Sequence, residues 1–143
     1  MKALWPYWLV TYAELTYWLV GSSPEEYHWA KANAWSRLDN HRRVIKHLQS
    51  YLKYSDNANL RWNLAYHLGC VEEWQRSADE YAKVVATMPQ PIVRFGQAQA
   101  ELRLGNRKKV FEIIISVDRD HPQLEENLRA MRDELIKECS SGG

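Results

Sequence analysis

Glycine and proline are scarce, six and five in 143 residues, which leaves little chain for long loops and favours helices. Cysteine is scarcer. Cys70 and Cys139 stand alone, with no CxxC spacing and no histidines at metal-ligand intervals, so neither a disulfide framework nor a zinc site is expected. Charge of one sign is also missing. A formal net charge of +1 offers no concentrated basic face for phosphates, which argues against a nucleic-acid partner. The basic run Arg107-Lys108-Lys109 opens an expected helix and reads as a solvated face.

Catalytic signatures are missing as well. There is no Walker loop, GxGxxG, GxSxG or HExxH motif, and His28, His41, His47, His67 and His121 are scattered without companion carboxylates. The expectation is a chain that is not an enzyme and needs no cofactor or metal. The histidines read as surface or helix-flanking residues, and Cys70, with no activating base in view, as a small packing residue. The one apolar run, Leu4 to Val20, contains Glu14, Thr11 and Thr16. It falls short of the roughly 20 apolar residues that a membrane span requires. A cytoplasmic chain is expected, membrane association or export through residues 4–20 being the alternative.

What the sequence does hold is aromatics, seven Trp and eight Tyr, more than a core of this size needs and suited to anchoring at interfaces. It also repeats itself. A shift of 33 residues superposes Ala32, Ala65 and Ala98, and with them Trp29, Trp62 and Phe95. The same shift brings together Leu38, Val71 and Leu104, then Asp39, Glu72 and Gly105, then Leu48, Tyr81 and Ile114. Asp56, Pro89 and Pro122 close the three units. Within a unit the apolar residues recur at helical steps, as in Trp74, Ala78, Tyr81 and Val85, and two breaks make each unit a pair of helices. Gly105-Asn106 supplies the turn of the third pair, and the prolines push the preceding residues out of the α region.

This pattern resembles the tetratricopeptide repeat. Ala65, Trp74, Ser77, Tyr81 and Pro89 occupy its signature positions in the second unit. The run Arg94 to Asn106 is similar to a first helix of that family, with Glu101 where an aromatic is usual. The resemblance implies an all-α, right-handed superhelical stack of helix pairs forming a single domain over residues 1–139. Its units span 24–57, 58–90 and 91–122. An N-terminal half-repeat covers 4–21, a capping amphipathic helix 123–138, and a disordered tail 140–143.

The same resemblance implies a concave wall built from the first helix of each pair and lined by Trp29, Asn33, Arg37, Trp62, Asn63, Tyr66, Cys70, Phe95, Gln99 and Arg103. Ala65 and Leu68 then face the partner helix while Tyr66 and the arginines face the concavity. Trp29, Trp62 and Phe95 fit a core edge equally well. Asn33 and Asn63 match the clamp by which some family members hold chaperone tails, but its basic positions are Trp29, Ile92 and Gly96 here. An apolar, aromatic-anchored protein segment or peptide is therefore the expected partner. The alternative is a self-assembling repeat that forms a homo-oligomer through its N-terminal aromatic helix.

Overall fold

The structure is a computed structural model; it describes His28 and residues 40–141. The expected half-repeat over 4–21, the apolar run over 4–20, and Trp29, Asn33 and Arg37 lie outside the described residues. The chain divides into two compact units, Met1–Val71 and Glu72–Gly143. The division falls at a turn inside residues 58–90, the span that the sequence presents as one repeat.

All regular structure among the described residues is helical. The first unit holds α1 (His41–Leu52) and α2 (Ala58–Cys70). Each starts on an asparagine. The Asn40 side chain accepts a bond from the Arg43 N–H, and that of Asn57 from the Leu60 N–H. Both satisfy a first-turn donor that has no partner within the helix. The two helices pack through Val44, Ile45 and Leu48 on one and Leu64 and Leu68 on the other, all buried.

The second unit holds α3 (Trp74–Thr87), α4 (Pro91–Arg103), α5 (Arg107–Asp120) and α6 (Glu126–Ser141). Helix α4 is central and touches the other three. Pro91 opens it, where a missing N–H costs nothing. Phe95 and Ala98 of α4, Val110, Ile114 and Val117 of α5, and Leu135 and Cys139 of α6 form one core. At Gly96 an added Cβ would stand 2.6 Å from the Tyr81 ring, so the glycine is what lets α3 and α4 approach. Helix α6 does not stop before Ser140. It carries Ser140 and Ser141 in its last turn, anchored by the buried Cys139 and by a bond from the Ser141 hydroxyl to the Glu138 carbonyl.

Helix starts recur with the period of the sequence. Helices α1, α3 and α5 begin at His41, Trp74 and Arg107, and α2 and α4 at Ala58 and Pro91, in steps of 33. The turn residues recur too. Gly105 has φ +82°, and Glu72, one period earlier, has φ 63°, the left-handed region that costs a residue with a Cβ about 1–2 kcal/mol. Glu72→Gly is therefore expected to stabilise the chain, by about 1 kcal/mol net of the extra entropy glycine loses. A urea titration that showed a lower midpoint for this variant would contradict the strain assigned to Glu72.

Candidate functional site

Helix α2 separates two kinds of residue. Leu64, Ala65 and Leu68 are buried, whereas Asn63, Tyr66 and Cys70 are exposed, Tyr66 by 57%. Trp62 is half-buried. Tyr66 and Cys70, one turn apart, thus share an outward stripe of the helix. Cys70 is a free thiol on this stripe rather than a packing residue, and the buried thiol is Cys139.

On α4 the expected stripe divides. Phe95 is only 1% exposed and belongs to the core, because Gly96 and Ala98 let the neighbouring helices close over its ring. Gln99 and Arg103 are exposed. The Arg103 guanidinium lies 5.9 Å from the centroid of the Trp74 ring, a cation–π contact that fixes it toward α3.

Between α4 and α6 lies a hollow of about 150 Å³, lined by Phe95, Gln99, Met131, Glu134, Leu135 and Glu138. Phe95 and Leu135 are buried and make its floor, while Gln99, Met131, Glu134 and Glu138 are exposed around it. Two residues of the expected wall, Phe95 and Gln99, thus reach this hollow. The α6 residues were not among those expected to bind. Their spacing was readable nonetheless: 131, 134, 135 and 138 follow the i, i+3, i+4, i+7 pattern of one helix face.

Polar side chains outside the hollow, buried and exposed, have structural partners. Glu101, 4% exposed, stands one period after Leu68. It accepts a 2.7 Å bond from the Asn106 side-chain amide and lies 3.3 Å from the Lys109 ammonium. This ties the α4–α5 turn and occupies one cation of the basic run. Arg94 bridges from α4 to Asp120 of α5 at 2.9 Å, and this bond, with a second from Arg119, holds the Asp120 carboxyl below the usual range.

Four of the five histidines come together in pairs. Nδ1 of His41 stands 2.8 Å from Nδ1 of His67, and Nδ1 of His28 stands 3.1 Å from Nδ1 of His47. In each pair one ring must donate and the other accept. His67 is 6% exposed. Burial, and secondarily the charge of His41, pushes its pKa down to about 4. His67 is thus a buried, paired residue and not a surface one, a placement that sequence separation alone does not reveal. Among the described residues no three His, Cys, Asp or Glu side chains come together as metal ligands, and no helix is long and apolar enough to cross a membrane. No protein-family model matches the chain, and no curated protein is found to be similar to it.

Proposed function

We propose that the chain is a tetratricopeptide-type repeat, a stack of helix pairs that binds a peptide or helical segment of another protein and carries out no catalysis. The period of 33 shared by the sequence and the helix starts supports the repeat. In this reading α2 and α4 are the first helices of their pairs, and each turns one face to the core and one to the partner. The observation that carries the function is the face of α2. An amphipathic helix of a solvated scaffold needs no aromatic on its outer side, yet Tyr66 is held there with more than half its surface open. Tyrosine supplies a large contact area at little entropic cost, and it is enriched at binding hot spots.

A photo-cross-linking amino acid placed at Tyr66 or Gln99 is expected to form adducts with a partner protein in cells. The same group at Phe111 or Ile115, exposed on the second helix α5, is expected to form few. Truncating Tyr66 to Ala should weaken capture by about 2 kcal/mol or more and move the melting curve by roughly 0.5 kcal/mol or less. Equal adducts from α5, or none from either first helix, would remove the basis for a first-helix binding face.

A further inference from the structure

Every histidine of the Met1–Val71 unit meets another through the same atom. His41 of α1 faces His67 of α2, and His28 faces His47, Nδ1 to Nδ1 in both, at 2.8 and 3.1 Å. Two imidazoles can approach through either ring nitrogen, yet both pairs converge on Nδ1. The first pair is unusual in its surroundings as well. His67 is the one polar residue among the buried residues of α1 and α2, the others being Val44, Ile45, Leu48, Leu64, Ala65 and Leu68. Burying an imidazole costs free energy that an aliphatic residue at the same place would not. The packing of α1 on α2 therefore does not by itself account for it.

The spacing of the two nitrogens fits a cation between them. Two imidazoles bound to one divalent transition metal at about 2.0–2.1 Å hold their nitrogens about 2.9 Å apart when the bonds meet at a right angle, and about 3.4 Å apart when they are tetrahedral. The His41–His67 separation of 2.8 Å matches the right angle. That angle belongs to the square-planar and tetragonal coordination of nickel(II) and copper(II), for which imidazole is a suitable ligand.

We infer that the His41–His67 pair is a two-imidazole site for a divalent transition cation of the nickel(II) or copper(II) class, which clamps α1 to α2. In the metal-free chain one ring of the pair donates its Nδ1 proton to the other. On binding, that proton moves to Nε2 of the same ring, so both Nδ1 lone pairs turn to the cation and no proton leaves the pair. Water completes the coordination, since among the described residues no third His, Cys, Asp or Glu stands with the two rings. His41 is half-buried and gives the side of entry. The two ligands are 26 residues apart and come together only in the fold, so the bound cation stabilises the folded unit. The inference does not rest on the proposed binding of a protein segment.

The test uses the full chain without a tag, freed of metal by a chelator and titrated calorimetrically with nickel(II), which unlike copper(II) does not oxidise the exposed thiol of Cys70. At a hundredfold excess over Kd the wild type is expected to melt about 5 °C or more higher. Magnesium, which takes oxygen ligands, is expected to cause no such shift. Two variants remove one ligand each. His41→Gln leaves His67 a hydrogen-bonding partner, and His67→Leu fills the buried place with an aliphatic side chain, so at least one variant keeps the fold. Both are expected to bind nickel about tenfold more weakly or worse and to lose most of the melting shift, while His121→Gln, in the other unit, keeps both. A wild type that melts unchanged with nickel, or variants that bind it as tightly as the wild type, would overturn the site and leave the pair a hydrogen bond only. Binding lost in His47→Gln but kept in His41→Gln would give the cation to the other pair and likewise overturn the proposal.

Discussion

Phe95→Ala is expected to cost the Glu72–Gly143 unit about 3–5 kcal/mol, the range for deleting a buried phenylalanine side chain. The ring belongs to one core with Ala98, Val110, Ile114, Val117, Leu124, Leu135 and Cys139, residues from three helices and the loop before the last. They cannot all move in to fill the space, so the lost transfer energy is joined by a cavity term. Against a total stability of about 5–15 kcal/mol for an ordinary domain, the loss leaves this unit marginal. The variant should lose the proposed segment binding as a consequence of unfolding. The control is Gln99→Ala on the same helix. Gln99 is exposed, and its truncation is expected to shift stability by roughly 0.5 kcal/mol or less. Urea denaturation followed by circular dichroism separates the two. A Phe95→Ala chain that melted like the wild type yet bound nothing would return Phe95 to the concave wall on which the family resemblance had placed it.

The two readings of Phe95, groove wall and core edge, show what periodicity alone decides. A stripe of residues at i, i+4 and i+8 identifies one side of a helix, and Phe95, Gln99 and Arg103 do lie on one side of α4. Whether the side is open depends on how near the neighbours come, and that is set by Gly96 under the Tyr81 ring and by the arrival of α6. Neither is visible in the repeat. The all-helical character, by contrast, follows from local signals that agree with one another: the scarcity of breakers, the 3.6-residue apolar period, and the asparagine and proline helix starts. The steps of 33 between helix starts follow from the same register.

The candidate site was legible in part. Tyr66 stood out because its helix neighbours Ala65 and Leu68 belong to the core, and the structure leaves it exposed as that argument requires. Glu134 and Glu138 were missed because α6 was read as a cap, and a cap is expected to be polar on its outer side. The distinction between an outer carboxylate and one on the rim of a hollow is a matter of which helix comes alongside. Cys70 was read two ways, as packing and as part of the outward wall, because a small residue fits a tight contact as well as a surface; its exposure agrees with the second. Glu101 looked like a departure from the family pattern, and its burial became intelligible only with Asn106 and Lys109 placed beside it. The histidine pairs lay beyond the sequence altogether, since His41 and His67 are 26 positions apart and meet only through the packing of α1 on α2.

That packing makes the Met1–Val71 unit sensitive to acid, and the sign follows from His67. In the unfolded chain this imidazole takes up a proton near its ordinary pKa of 6.5, whereas in the fold its pKa is down to about 4. Between those values the unfolded state binds the proton and the folded state does not, so acidification favours unfolding. The stability contribution of a neutral His67 is complete above pH 6.5, declines as the pH falls through the window, and is fully lost below about 4. At about 1.4 kcal/mol per pKa unit, the loss is on the order of 3 kcal/mol at most. Two variants divide the causes. His67→Leu removes the titrating group and should flatten the stability curve across the window. His41→Ala removes the second charge but leaves the burial, which is the larger cause, so most of the slope should persist while overall stability falls for want of the ring's partner. Equilibrium unfolding across the window gives the three curves. A wild-type curve that is level from pH 6.5 to 4 would show that His67 is not held neutral by its surroundings. The consequence reaches the binding face, because the Tyr66 ring stands edge-on to His67 with centroids 5.3 Å apart. A charged His67 must leave its place between α1 and α2 to find water, and the residue next to it in the chain, Tyr66, is the exposed aromatic of the proposed binding face of α2. Capture through Tyr66 should therefore weaken over the same pH range in which the unit loses stability, and it should do so in the wild type but not in His67→Leu.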